Sequence, residues 1–173
     1  MVQCSDMRLN SVAEAFPLEL TLEKEKEGGN FSVVLLKPGF DDQVVSEFQE
    51  FLHSRRLRVM YRKRRKLNKS HVIALYPKVF RYQSNDLIYG LGWKEQFIKY
   101  LTSSSCMIYF IEGENAIRIL QDFKFRLRKK KKLILHPKKQ GKMDEGVFFE
   151  KVIKNLIHVV DRNDIQNSLW LLQ

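Results

Sequence analysis

The chain has 173 residues, 44% of them hydrophobic and 29% charged, with twelve Phe, six Tyr and two Trp. That composition supports one domain with a full apolar core and excludes a fibrous or wholly disordered chain. The longest clean apolar run, Cys106 to Ile111, is too short to cross a bilayer. Met1 to Asn10 holds no apolar stretch that would serve as a secretory signal. Two cysteines, Cys4 and Cys106, read as reduced thiols rather than a disulfide framework, so the expected setting is intracellular.

The net charge is +11. Residues 1–30 hold six acids and three bases, so they contribute −3 and the remainder carries +14. Two blocks dominate. Arg55 to Lys69 has nine bases and no acid; Lys124 to Lys142 has ten bases and no acid. Such fields attract polyanions. The candidate polyanion contacts are Arg62, Arg64, Arg65, Lys129, Lys130, Lys131 and Lys132. Few aromatics interleave these bases, which favours backbone electrostatics over base stacking. Arg62 to Lys66 also has the composition of a nuclear import signal, at a strand end.

In chain order, residues 1–30 read as a partly ordered arm that ends at Gly28-Gly29. The domain then runs from 31 to 173. Phe31 to Leu36 is predicted as a strand, stopped by Lys37-Pro38-Gly39. A helix follows, capped by Asp41 or Asp42, with Val44, Val45, Phe48, Phe51 and Leu52 on one face. Leu57, Val59 and Tyr61 alternate with Arg58, Met60 and Arg62, giving a half-exposed second strand with a basic outer face. A short helix capped by Asn68 or Ser70 extends to Tyr76 and stops at Pro77. Residues 78–92 read as loop. Trp93 to Leu101 is predicted helical, burying Trp93, Phe97, Tyr100 and Leu101. Cys106 to Ile111 is a strand buried on both faces. Asn115 to about Phe125 is a helix with Ile117, Leu120 and Phe123 inward. Residues 126–142 read as a long basic loop with a β-like piece at Leu133-Ile134-Leu135. Phe148 to Ile153 is a helical turn, Leu156 to Val160 a fourth strand, and a last short helix, capped by Asp161 or Asn163, ends at Trp170. Strands separated by helices give an α/β (α+β) chain. A ferredoxin-like βαββαβ antiparallel sheet, with helices on one face, fits this order.

Chemistry-bearing motifs are sparse. There is no CxxC, no HExxH and no glycine-rich phosphate loop, so no metal cage is expected. One cluster stands out, Asn155-Leu156-Ile157-His158. In an alternating strand Leu156, His158 and Val160 share one face.

A strand ending in Lys37-Pro38 and a strand carrying Asn155-x-x-His158 resemble the nucleoside diphosphate kinase family. Phe97-Ile98-Lys99-Tyr100-Leu101-Thr102-Ser103 is similar to that family's LVKYM-S helix and turn. Tyr109 to Ala116, with Glu112-Gly113-Glu114-Asn115, is similar to its third strand and EGLNVV entry to the next helix. Ser168-Leu169-Trp170 resembles its terminal Leu-Trp-Phe, and Tyr76 falls where the family has a tyrosine beside the reactive histidine. The resemblance implies a phosphohistidine at His158, nucleotide contacts from Lys37, Tyr76, Trp93 and Asn155, and Mg²⁺ accompanying any bound nucleotide. It also implies a homo-oligomer.

The family pattern is broken at several places. The Asp after Lys-Pro is Gly39, and the Ser two residues after the His is Val160. The acid on the last helix aligns with Gln166. One phosphate-binding Arg aligns with Gln121 and a second with Glu145-Gly146-Val147. The site threonine falls near Leu127 or Arg128, and the base-stacking aromatic lands on Lys94, beside Trp93. The expected function is therefore a divergent kinase-like module that binds polyanions or acidic partners with weak or no phosphoryl transfer. An active kinase working through His158, and a nucleic-acid binder using 55–69 and 124–142, are the alternatives.

Overall fold

A computed structural model describes residues 30–81, 92–131, 155–160 and 165–168. Strand β1 (Phe31–Leu36) is buried at every position, as expected for an apolar, β-branched run that is sandwiched on both sides. Helix α1 (Asp42–Ser54) starts at Asp41, whose Oδ1 accepts from the Val44 N–H at 2.8 Å. Of the two candidate caps, Asp41 is the one used. Such a cap is worth about 1 kcal/mol.

Strand β2 (Arg58–Lys66) carries a bulge between Val59 and Tyr61. The extra residue resets the alternation. Leu57, Val59 and Tyr61 therefore do not share an inward face. Leu57 packs with the α1 side of the sheet and Tyr61 with the opposite side, while Val59 and Met60 stay exposed. Past the bulge Arg62, Arg64 and Lys66 form the exposed row.

Helix α2 (Lys69–Leu75) is capped by Asn68 in a reciprocal arrangement with His71. Pro77 opens helix α3 (Pro77–Arg81) instead of leading into a loop, because a proline suits the first turn, where its missing N–H costs nothing. Helix α4 (Trp93–Ser103) buries Trp93, Phe97 and Leu101, with Tyr100 only partly covered. Strand β3 (Ser105–Glu112) leads to helix α5 (Ala116–Lys130). That helix continues five residues beyond Phe125, so 126–130 are helical and not loop. Strand β4 (Ile157–Val159) and helix α6 (Ile165–Ser168) complete the described elements. The expected arm 1–30 up to Gly29, the β-like piece at 133–135 and the turn at 148–153 lie outside the described residues.

The sheet order is β2-β3-β1-β4 with every neighbour antiparallel. This is the expected ferredoxin-like arrangement of a four-stranded antiparallel sheet. Its two faces are both covered, however. On one side α1 and α5 pack Phe48, Phe51, Leu120 and Phe123 over Val34, Leu36, Tyr109 and Ile111. On the other α2 and α4 pack Val72, Leu75, Phe97 and Leu101 over Val33, Leu35, Ile108 and Phe110. The expectation of helices on one face fails because the β2–β3 connection is not a hairpin. It carries α2, α3 and α4, which supply the second layer. Cys106 lies inside the latter cluster as a free, buried thiol.

Candidate functional site

The site is built where β1 ends beside β4. Lys37 follows the last residue of β1 and keeps pairing with the neighbouring chain, its N–H donating to Leu156 O at 2.8 Å. Its side chain is 2% exposed. The ammonium donates to Asn155 Oδ1 at 2.7 Å and lies 5.6 Å and 5.5 Å from the ring centres of Tyr76 and Phe97. Aromatic faces and one amide oxygen thus cradle the charge. The turn after Lys37 is fixed by the Tyr100 hydroxyl, which donates to Pro38 O at 2.6 Å. Gly39 has φ of +89°, a left-handed conformation that glycine adopts without strain. The glycine at that position therefore has a backbone reason.

His158 stands opposite Leu35 in the β1–β4 register. Its ring lies 4.4 Å from that of Tyr76, tilted by 44°. Among the described residues it makes no hydrogen bond. Burial pushes the imidazole well below its ordinary pKa, and the charges of Lys37, Lys124 and Arg128 push it the same way. The ring is therefore neutral at pH 7, the form with a lone pair available for attack. Lys37 is also held well below its usual value, by burial first and then by Arg128.

The neighbouring helix completes the enclosure. Gln121, Lys124 and Arg128 follow i, i+3, i+7 spacing on α5 and so share one face. β4 is an edge strand, and the carbonyls of Ile157 and Val159 point away from β1, since Leu156 O and Val160 N are the groups that pair inward. Arg128 Nη2 donates to Ile157 O at 3.1 Å, and Gln121 Nε2 makes a long bond of 3.5 Å to Val159 O. The side chains of α5 thereby cap the open edge of the strand that carries the histidine.

Two polar atoms at this place are buried without a hydrogen-bond partner: the Tyr76 hydroxyl and Arg128 Nε. Tyr76 itself is 8% exposed. Burial raises its phenol pKa well above the ordinary value, with the nearby Arg128 charge opposing that rise. Leaving such groups unpaired costs about 1–3 kcal/mol each. The arrangement thus holds cations from two elements beside a neutral histidine, with orphaned donors among them. Its chemistry suits a phosphate-sized anion.

Lys37, Tyr76, Asn155 and His158 are thus brought together. Trp93 is placed in the core instead, packed against Phe97 and Phe80, so its ring faces are occupied by other side chains. Of the surface candidates, Arg62 and Arg64 are exposed on β2, Arg65 is half-buried, and Lys129 and Lys130 are exposed at the end of α5 with Lys131 half-buried beyond it. Lys130 pairs with Glu47 of α1 at 2.7 Å. Lys132 lies outside the described residues. Lys124 is absent from the sequence-based site candidates, and Arg128, which the resemblance places near the family's site threonine, is put on the helix face toward β4 only because the helix runs on to Lys130. Leu127, one turn after Phe123 in the buried stripe, is the signal that the helix continues.

No family model matches the sequence, and no curated protein matches it. Solved structures do. A nucleoside diphosphate kinase of Halobacterium salinarum, in complex with CDP, superposes with a TM-score of 0.57 at 16% identity, covering 84% of this chain and 88% of its own. The nucleoside-diphosphate kinase of Borrelia burgdorferi, with bound vanadate and ADP, gives 0.56 at 13% identity, covering 83% and 86%. That of Encephalitozoon cuniculi, without ligand, gives 0.58 at 11% identity, covering 83% and 90%. At such identities the likeness establishes the fold.

Proposed function

We propose that this chain, on a nucleoside diphosphate kinase-like fold, binds the phosphates of a nucleoside di- or triphosphate at the Lys37–Asn155–His158 cluster and transfers a phosphoryl group slowly. The observation that carries this reading is the cluster of cations and orphaned donors around a neutral, half-buried histidine. Lys37 neutralises phosphate oxygens, Asn155 holds the ammonium in place, and Tyr76 walls the imidazole. In the first half-reaction a lone pair of His158 attacks the γ-phosphorus in line. An N–P bond forms, and the P–O bond to the bridging oxygen breaks with its electrons leaving on the diphosphate. An acceptor diphosphate reverses the step.

Slowness follows from what is missing. Gln121 spends its amide on a backbone carbonyl, where the family has a guanidinium for phosphate. Loss of one such contact reduces transfer by roughly 10²–10³. Val160 provides no hydroxyl, and no described group orients the imidazole. Mg²⁺ would come with the polyphosphate: no group of three or more His, Cys, Asp or Glu side chains among the described residues could hold an ion, and Mg²⁺ is ordinarily held largely by phosphates and water.

Incubation with γ-labelled ATP and Mg²⁺ tests this directly. Acid-labile label should appear over minutes, reach at most one per chain, and vanish in His158→Ala. Turnover as fast as ordinary kinases would overturn the binding emphasis. Absence of both label and ADP binding would overturn the site.

A second reading, retention of nucleic acid by charge alone, is supported by the exposed row Arg62, Arg64 and Lys66 on one face of β2. Among the described helices none is long and apolar enough to cross a membrane.

A further inference from the structure

We infer that helix α5 supplies the phosphate-contacting cations of this site, Arg128 through its Nε–H and Lys124 one turn earlier, in place of the residue at position 121. The inference rests on the phosphate-binding reading above and names the groups that do the holding.

Arg128 is fixed from one end. Nη2 is engaged with Ile157 O at 3.1 Å, the carbonyl of the residue before His158. A guanidinium is planar and rigid, so anchoring one nitrogen orients the others. Nε is buried and has no partner. The Tyr76 hydroxyl, on the far side of the sheet edge, is buried and has none either. The two side chains are close enough to shift each other's ionisation. A tetrahedral oxyanion seated beside His158 would accept from both, satisfying the two buried donors together.

Lys124 stands four residues before Arg128, so both project from the same face of α5. Like charges at that spacing repel, and here they also face the buried ammonium of Lys37. Gln121, a further turn toward the helix start, is turned to Val159 O and takes the role of closing the strand edge. The α5 face therefore divides its work: position 121 holds the strand, position 124 supplies charge, and position 128 does both. A guanidinium moved seven residues along the same helix stripe returns to the same face, which is the geometric reason the substitution can succeed.

Calorimetry with ADP and with inorganic tripolyphosphate, on the full chain, tests the assignment. Arg128→Gln removes the charge and the Nε–H while keeping a polar side chain on the same helix face. Lys124→Gln removes only charge. Each is expected to weaken both ligands at least tenfold, with the melting temperature of the free protein changed little. Arg128→Lys, which keeps charge but loses the oriented Nε–H, should fall between. NMR titration of His158 gives a readout that simple packing damage would not move: its midpoint should rise in Arg128→Gln and Lys124→Gln. Wild-type affinity in both glutamine variants, while Lys37→Ala abolishes binding, would overturn this inference and leave the phosphate site standing. No binding by the wild-type chain would overturn both. Equal losses in Arg128→Gln and in a folding-competent Arg126→Gln control would assign the effect to general charge, and would also overturn it.

Discussion

The two edges of the sheet carry the same kind of residue and use it in opposite ways. At the β4 edge, Lys37, Lys124 and Arg128 lie around a half-buried histidine, and their charges depress one another's ionisation or that of the ring. At the β2 edge, Arg62, Arg64 and Lys66 stand in a row in solvent. In the first set the Lys37 ammonium is desolvated and held by Asn155; the second set is hydrated and costs almost nothing. The comparison teaches that a count of basic residues locates charge and not a site. What marks a site is desolvation together with donors that have no partner.

The largest expected effect is at the first edge. Replacing the buried pair together, Lys37→Met with Asn155→Leu, should abolish ADP binding, by about a hundredfold or more. It should leave the free protein as stable or raise its stability by roughly 1–2 kcal/mol, because a buried polar pair gives way to apolar packing. Thermal melts with and without ADP measure both. If the double variant melts far lower, the pair is structural and the contrast between edges collapses.

The next effect is in pH dependence. His158 has a folded pKa depressed below its ordinary 6.5, so its neutral form is the one the fold accepts. Stability is therefore whole above about pH 6.5 and falls as the pH drops below it, by up to about 1.4 kcal/mol per unit, until the folded imidazole itself titrates. Lys37, depressed in the same sense, makes stability climb as pH rises toward its unfolded value. Urea melts from pH 5 to 7 should show the first slope, and His158→Gln should flatten it. On the alkaline side the sign reverses. The Cys106 thiol is pushed up to about 12 by burial, so its contribution is present below pH 9 and is lost as the pH rises through that range. Cys106→Ala should reduce the loss between pH 9 and 11.

The smallest effect belongs to the β2 edge. Arg62→Glu with Arg64→Glu should change stability by no more than about 0.5 kcal/mol and leave ADP affinity unchanged. Any retention of an arbitrary oligonucleotide should weaken and its salt dependence should shallow. Charge reversal at Lys129 to Lys132 should act in the same direction. A flat salt response in the unmodified protein would leave this row without a polyanion to hold. A large loss of ADP affinity would show that the two edges act as one field.

The sequence was readable where a local period met a local stop. The apolar run before Lys37-Pro38, the cap pairs Asp41 or Asp42 and Asn68 or Ser70, and the stripe Val44, Phe48, Phe51, Leu52 all follow from chemistry within a few residues; the structure selects Asp41 and Asn68. Lys37, Tyr76, Asn155 and His158 are legible through the family motifs they resemble, and the fold brings them together. Three features are not. The bulge at Val59–Tyr61 is a property of the β2–β3 pairing and leaves no mark on either strand alone. The second layer over the sheet depends on how a long connection folds back, which periodicity does not encode. The direction taken by Arg128 is not legible among the neighbouring bases, since a charge that turns inward to a strand carbonyl looks the same in sequence as one that turns outward.

The site draws Tyr76 from the segment packed on one face of the sheet and Arg128 from the helix packed on the other. Each layer has its own hydrophobic cluster, and the sheet lies between them. An anion bridging the tyrosine and the guanidinium acts as a clasp across that sheet edge. The two layers would then open together or not at all, so amide exchange in α2 and in α5 should slow in concert when the clasp is closed. Occupancy would be felt in the breathing of elements packed on opposite faces of the sheet.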